Sequence, residues 1–306
     1  MSRILLTAIG SMAAAPVARR YQALGHAVFG CDIYPRAWTP LAGEIDFFQA
    51  RLATEGEPYV EQLREAVRRD MLDFLIPLTD PEVDALAPRK AEFRALGCTV
   101  CVPEERVAAL CRRKDTMNRF LAEKQVCRLI PTESAVSGQP CPFPFPAMVK
   151  PRSGRSSLGQ AVAGREDCIV QPFLEGDVFC VDVARDSAGQ VRAAARQELL
   201  RNKSGLGMTV EVLPDHPLEA VCAAIAEAVG LVGVVNMEFI RHGDDFFFLE
   251  VNPRFSGGVG FSMAAGMDFA EMMLCCHSCG SVEAFPAAPK HALLARESTI
   301  VLTQLR

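Results

Sequence analysis

A change of texture partway along the chain limits the folds open to it. Over the first hundred residues, short apolar runs alternate with stretches whose apolar residues recur every three or four positions. Ile4 to Ile9 is such a run; Gly10 follows, then a helical stretch from Ala14 to Leu24 closed by Gly25, then a second run from Ala27 to Asp32. Parallel strands need a long crossover, which a helix supplies, so this order predicts a βαβ opening. Val60, Leu63 and Val67 mark another helix, Phe74 to Pro77 a strand, Val83, Leu86 and Ala87 a helix, and Thr99 to Val102 a strand. The alternation predicts a doubly wound, Rossmann-like parallel α/β sheet.

Met117, Phe120 and Leu121 set a helix over Lys114 to Glu123, after which Pro131 and the run from Pro140 to Pro146 punctuate the chain. Downstream the pattern turns to hairpins. Val178 to Arg185 and Val191 to Gln197 flank a turn at 186–189, and Gly233 to Ile240 and Phe246 to Val251 flank one near 242–244. Between the hairpins lies a helix with Leu218, Val221, Cys222, Ile225 and Val229 on one face and Gly230 past its end. This half is expected to be α+β, and no internal repeat is visible.

Composition removes several classes of function. A chain of 306 residues has ample material for a core and gives a prior of about two domains. With 37 acidic against 32 basic residues the net charge is −5, and no Lys/Arg cluster stands out, which argues against nucleic acid as a partner. Twelve cysteines, mostly single members of apolar runs, read as free thiols, and a cytoplasmic location is expected. Ala220 to Val235 is too short to span a bilayer, and Ile4 to Ala18 continues into strand, helix, strand rather than ending as a leader, so no membrane role is expected. Cys275 and Cys279 stand one turn apart on an expected helix, read as core rather than as a zinc site.

The second hairpin carries the sharpest chemical signal. Period-2 alternation puts Asn236 and Glu238 on one face of the first strand, and Phe246, Phe248, Glu250 and Asn252 on one face of the second. A three-residue loop, 243–245, would pair His242 with Phe246 and set Glu238 opposite Glu250. Like charges across a ladder cost up to about 1 kcal/mol, so something must neutralise them. Hard carboxylate and amide oxygens suit Mg2+ or Mn2+; a solvated acidic face satisfies the same pattern. Upstream, the stretch Met148 to Gly159 delivers Lys150 into a loop of Ser153, Gly154, Ser156 and Ser157, small residues whose amides can approach phosphate oxygens. Glu250 to Gly258 presents a carboxylate, an amide and the Arg254 guanidinium, which can clamp an anion bidentately.

Lys114, Val149-Lys-Pro with its Gly/Ser loop, the stretch Ile169 to Gly176, Val181-Asp-Val183, Asn236-Met-Glu238 and Glu250 to Arg254, in that order, resemble the ATP-grasp superfamily. The resemblance is to carbamoyl-phosphate-synthase-large-subunit-like proteins and stand-alone carboxylate-amine ligases. Pro77 to Glu82 and Gly97 to Val102 resemble the domain that precedes ATP-grasp in that family. The resemblance implies a pre-ATP-grasp α/β domain over residues 1–112 and a two-lobed α+β ATP-grasp domain over 113–306. Within the latter, 113–180 would cover ATP and 181–306 would hold metal and substrate.

It also implies roles. Lys114 and Lys150 would meet the ATP phosphates under the loop of Ser153, Gly154, Ser156 and Ser157, with Arg196, Arg201 and Lys203 further along the triphosphate. Gln171, Phe173, Leu174 and Glu175 would surround the adenosine. Glu238, Glu250 and Asn252 would bind Mg2+ or Mn2+, and Arg254, with Lys150, would serve the reacting phosphate or activated carboxylate. The implied activity is ATP- and Mg-dependent ligation. A small carboxylate, an amino acid or derivative, would become an acyl phosphate and be attacked by an amine. Small molecules are then the partners, with room for a homo-oligomer. Val178 stands where the family carries an acid, and only about ten residues separate Gly159 from Ile169, where it has a helix. A nucleotide-binding homologue without catalysis fits these departures. An NAD(P)-dependent oxidoreductase rests only on the βαβ opening and Asp32, without the dinucleotide fingerprint.

Overall fold

The computed structural model of the chain describes residues 1–136, 139–153 and 167–304. The opening alternation folds as expected into a parallel sheet. Its strands are β1 (Arg3–Leu6), β2 (Ala27–Asp32), β3 (Asp46–Gln49), β4 (Phe74–Ile76) and β5 (Thr99–Val100), in the order β3-β2-β1-β4-β5. The crossovers carry α1 (Ala14–Ala23), α2 (Glu57–Asp70), α3 (Asp80–Leu86) and α4 (Lys90–Ala95). α2 shows why such segments become helices: Tyr59, Val60, Leu63, Ala66 and Val67 recur on one buried face. α3 starts at a capping box, with Thr79 and Glu82 bonded reciprocally.

After α5 (Glu105–Arg112) and α6 (Lys114–Lys124), short strands β6 (Arg128–Leu129) and β7 (Glu133–Ser134) lead to β8 (Ala147–Pro151) and β9 (Cys168–Pro172). β7, β9 and β8 form a small antiparallel sheet. The hairpin half supplies β10 (Asp177–Arg185), β11 (Val191–Arg201), β12 (Gly207–Leu213), α7 (Pro217–Val229), β13 (Gly233–His242) and β14 (Asp245–Asn252). α8 (Val259–Ala264), α9 (Phe269–His277) and β15 (Ala292–Ala295) follow. The seven-stranded sheet runs β15-β12-β11-β10-β13-β14-β6, antiparallel except where β14 meets β6. β3, β6, β7, β9, β12, β15, α4, α5 and α8 were not foreseen; β3 and β15, for example, are four-residue strands, too short to print an alternation.

Each face of the seven-stranded sheet has its own core. α7 packs Leu218, Cys222, Ile225 and Val229 against Val181, Val183 and Met237. On the other side α9 packs Phe269, Met272 and Met273 into a cluster that continues without a break into Ile4, Leu6, Val17 and Tyr21. The Tyr21 hydroxyl donates to the Ala270 carbonyl at 2.8 Å, and Arg20 pairs with Asp268 at 2.6 Å. This shared core holds the parallel sheet at a fixed angle to the larger one, so that loops from both face a common cleft. No helix among the described residues is long and apolar enough to cross a membrane. Among the described residues the cysteines form no disulfide. α9 ends at His277, leaving Cys279 exposed beyond it rather than one turn along the helix from Cys275.

Candidate active site

The cleft, about 540 Å3, opens between the carboxyl ends of β1 and β4 on one side and the β10–β14 face on the other. Sheet order reverses between β1 and β4, and such a switch point is where open α/β sheets present their crevice. Ser11, Met12, Thr79 and Asp80 line the cleft from there. Asp32, beside them, accepts from the amides of Gly10 at 2.7 Å and Tyr34 at 3.1 Å, so its carboxylate braces the loop rather than waiting for a ribose.

Across the cleft stand Glu238 and Glu250, directly opposite in the β13–β14 ladder. The route to that pairing differs from the expected one. The turn is one residue shorter: His242 pairs with Asp245, and Gly243, with φ +61°, supports a two-residue loop. That register would misplace Glu250 by one. Leu249 enters as a bulge between Phe248 and Glu250 and restores the count. The bulge also splits the faces, so Phe248 joins Phe239 in an edge-to-face pair inside the core while Glu250 faces the cleft. The phenylalanines therefore do not share the carboxylates' face, as strict alternation implied.

Countercharge comes from elsewhere in the chain. Lys114 Nζ, at the start of α6, lies 2.9 Å from Glu250 Oε2, and Arg201 Nη2, at the end of β11, lies 3.7 Å from Glu238 Oε2. Lys150, on β8, also lines the cleft. Burial pushes the Lys150 ammonium below its ordinary range, while Glu250 works in the other direction. Burial and the neighbouring Glu250 carboxylate push Glu238 up; burial opposes ionisation of Glu250 as well, but Lys114 outweighs it and holds that carboxyl down. Asn252 completes the group: its amide nitrogen lies 3.3 Å from Glu250 Oε1 and 3.5 Å from Glu238 Oε1. Two carboxylates and an amide are hard oxygen donors on one face. No cluster of three or more His, Cys, Asp or Glu side chains suited to a metal occurs among the described residues. A cation here must draw its remaining ligands from water or a substrate, which is the habit of Mg2+ with phosphates.

Arg254 arrives from the loop after β14 already oriented. Its Nε donates to Asp80 Oδ1 at 2.9 Å and its Nη2 to Asp80 Oδ2 at 3.1 Å, and Nη2 lies 3.3 Å from Asn252 Oδ1. Asp80, fully buried at the start of α3, thereby ties the parallel sheet to the carboxylate group. Asp80 lies within the stretch Pro77 to Glu82, where nothing local in the sequence marks its partner.

The cleft thus brings together Lys114, Lys150, Arg201, Glu238, Glu250, Asn252 and Arg254. Other expected residues lie elsewhere. Ser153 bridges to Arg113 at the edge of the small sheet. Gln171 is buried in β9, its Nε2 donating to Thr132 at 2.8 Å, while Phe173, Leu174 and Glu175 occupy the connection to β10 and Lys203 an exposed turn. None of these five or Ser153 lines the cleft. Gly154, Ser156 and Ser157, and most of the stretch between Gly159 and Ile169, fall within 154–166, outside the described residues. Arg196, expected along the triphosphate, is instead buried in β11 and paired with Asp182. Missed in the sequence were Glu198, Asp182 and Ser11; alternation along β11 puts Arg196 and Glu198 on one face and was the available signal.

A family model described as ATP-grasp in the biosynthetic pathway with Ter operon matches residues 164–299. A formate-dependent phosphoribosylglycinamide formyltransferase of Mycolicibacterium gilvum is 26% identical over 273 residues, 76% of this chain. Over these residues the chain is similar to the ATP-grasp superfamily. It spans 65% of that relative's length. The ATP-grasp fold is repeated in a biotin carboxylase from Campylobacter jejuni, solved with a βγ-ATP ligand, at TM-score 0.72 and 16% identity, covering 92% of this chain and 72% of that one. It recurs in an L-amino acid ligase from Bacillus licheniformis, at TM-score 0.68 and 15% identity over 90% of this chain and 73% of the other.

Proposed function

We propose that the chain is an ATP- and Mg-dependent ligase that joins a small carboxylate to an amine. The observation that carries the proposal is the Glu238–Glu250 pair, in register, with Lys114, Lys150 and Arg201 around it and Arg254 held at its edge. Two facing carboxylates ringed by cations form a cradle for a metal-bound polyphosphate, in which positioning and charge neutralisation supply most of the catalysis. Glu238, Glu250 and Asn252 would hold Mg2+ or Mn2+, which neutralises phosphate charge when bound. Lys114 and Lys150 would lie along the transferring phosphates. The likeness to the ATP-grasp superfamily supports ATP as the donor.

The reaction this arrangement fits has two steps. A substrate carboxylate oxygen attacks the γ-phosphorus, the bond to the β,γ-bridging oxygen breaks, and ADP leaves. The amine nitrogen then attacks the acyl carbon and gives up a proton, a C–N bond forms, and phosphate departs with the C–O bond's electrons. Arg254, fixed by Asp80, would offer its remaining N–H to an anionic oxygen of the acyl phosphate. The test is ADP release from Mg-ATP across pools of amino acids and small carboxylates, with Glu250→Gln alongside. Release that depends on one pool and falls at least a hundredfold in the variant is expected. ATP binding without release under any mixture would favour the non-catalytic homologue, the reading that Val178 motivates.

A further inference from the structure

The cleft extends beyond the carboxylate group to a corner formed by β11, β12, the loop 254–258 and the Ser11 turn. Arg196 sits there, fully buried, donating through Nη1 to Asp182 Oδ2 at 2.5 Å and Ser262 Oγ at 3.2 Å, and through Nη2 to Ser256 Oγ at 3.1 Å. Its Nε donates to Glu198 Oε1 at 3.3 Å. One guanidinium therefore serves two carboxylates. Glu198, its side chain 3% exposed, keeps Oε2 without a hydrogen-bond partner, and Asp182 keeps Oδ1 in the same condition. Arg296, close enough to feel both Arg196 and Glu198, spends its Nη2 on the Gly257 carbonyl at 2.7 Å and lies over the Phe261 ring. A buried carboxylate oxygen left unmatched costs about 1–3 kcal/mol, more when charged, so a partner is called for.

The backbone makes room for this acid. A Cβ on Gly207 would stand 1.9 Å from Glu198 Oε2, and one on Gly258 would stand 2.7 Å from Arg196 Nη2. Both glycines line the cleft, as do Glu198 and Ser11. Ser11 carries a second buried polar atom without a partner, its Oγ, on the wall contributed by the parallel sheet. The walls converge at Gly257, where a Cβ would lie 2.6 Å from Leu206 Cδ1 and 3.8 Å from Met12 Cβ. An acidic acceptor, a hydroxyl and a lining of Leu206 and Met12 suit a cationic primary amine on a short apolar stem. Among the described residues no group of three acids suited to a metal forms there.

We infer that Glu198 and Ser11 form the docking subsite for the ammonium group of the amine-bearing substrate. The inference rests on the ligase reading for its place in the reaction, but binding tests it separately. Ethylammonium chloride is titrated into the full chain with MgADP present and followed by NMR, with ethanol as the neutral molecule of similar size and sodium chloride as the ionic control. Wild type is expected to bind ethylammonium and not ethanol. Glu198→Gln weakens that binding at least tenfold and Ser11→Ala about threefold. Glu219→Gln, which alters a partly buried carboxyl outside the cleft that also keeps one oxygen without a partner, binds as wild type does. Wild type that binds neither probe, or undiminished ethylammonium binding in Glu198→Gln, overturns the inference. If Glu198→Gln misfolds, undiminished binding in Ser11→Ala overturns it instead. Titration of MgADP alone reports on the nucleotide reading independently, so the failure of one is distinguishable from the failure of the other.

Discussion

Asp80 and Arg254 meet as a buried, bidentate ion pair between residues 174 positions apart. Removing one partner of such a pair strands the other charge, at a cost of about 3 kcal/mol or more. Asp80→Asn is expected to lower the denaturation midpoint accordingly and to slow ADP release at least tenfold, because Arg254 loses its orientation. A variant equal to wild type in both would show that Arg254 is held by other contacts. A second residue sets a pH dependence remote from the cleft. Burial pushes Glu219, at the start of α7, up to about 7. A carboxyl raised in the folded state keeps its proton longer there than in the unfolded chain. Its stabilising contribution is complete below the ordinary carboxylate range and is lost as pH rises through about 7. The Tm of wild type is expected to fall between about pH 5 and pH 8, and Glu219→Gln to flatten that fall. An unchanged slope would assign the dependence to other groups.

At the scale of elements, the β13–β14 hairpin shows what alternation reveals and what it hides. The facing of Glu238 and Glu250 was legible because the assumed three-residue loop gives the same net register as the real turn and bulge together. The two-residue turn and the Leu249 bulge were not, since each shifts the register by one and the two cancel. Period-2 reasoning recovers a pairing of this kind only through their sum, and it misassigns Phe248 for the same reason. β11 tells the same story: Arg196 and Glu198 share a face in the sequence, but nothing local announces that Gly207 and Gly258 clear space for them. The turn into β10 depends on another glycine. A Cβ on Gly176 would stand 1.8 Å from the Arg241 carbonyl oxygen, a contact with backbone that no side-chain movement relieves. Gly176→Ala is expected to cost about 2 kcal/mol in chemical denaturation and to disturb the pairing of β10 with β13. A cost under about 0.5 kcal/mol, as for an ordinary surface substitution, would mean that the strand slides freely there.

At the scale of the molecule, the parallel sheet and the seven-stranded sheet each make half of the cleft, and a continuous core from Ile4 to Met273 fixes their relation. The fold class was readable because alternation and hairpin texture are local. The meeting of the Ser11 turn and Asp80 with Arg254 was not, since it depends on how α1 and α9 pack. The central claim is that Glu238 and Glu250 hold a metal-bound nucleotide. Its most direct test is calorimetric titration of ADP into wild type and Glu238→Gln, each with and without Mg2+. Mg2+ is expected to tighten ADP binding to wild type at least tenfold, and Glu238→Gln to lose most of that gain. Equal affinity with and without Mg2+, or an undiminished gain in the variant, would contradict it.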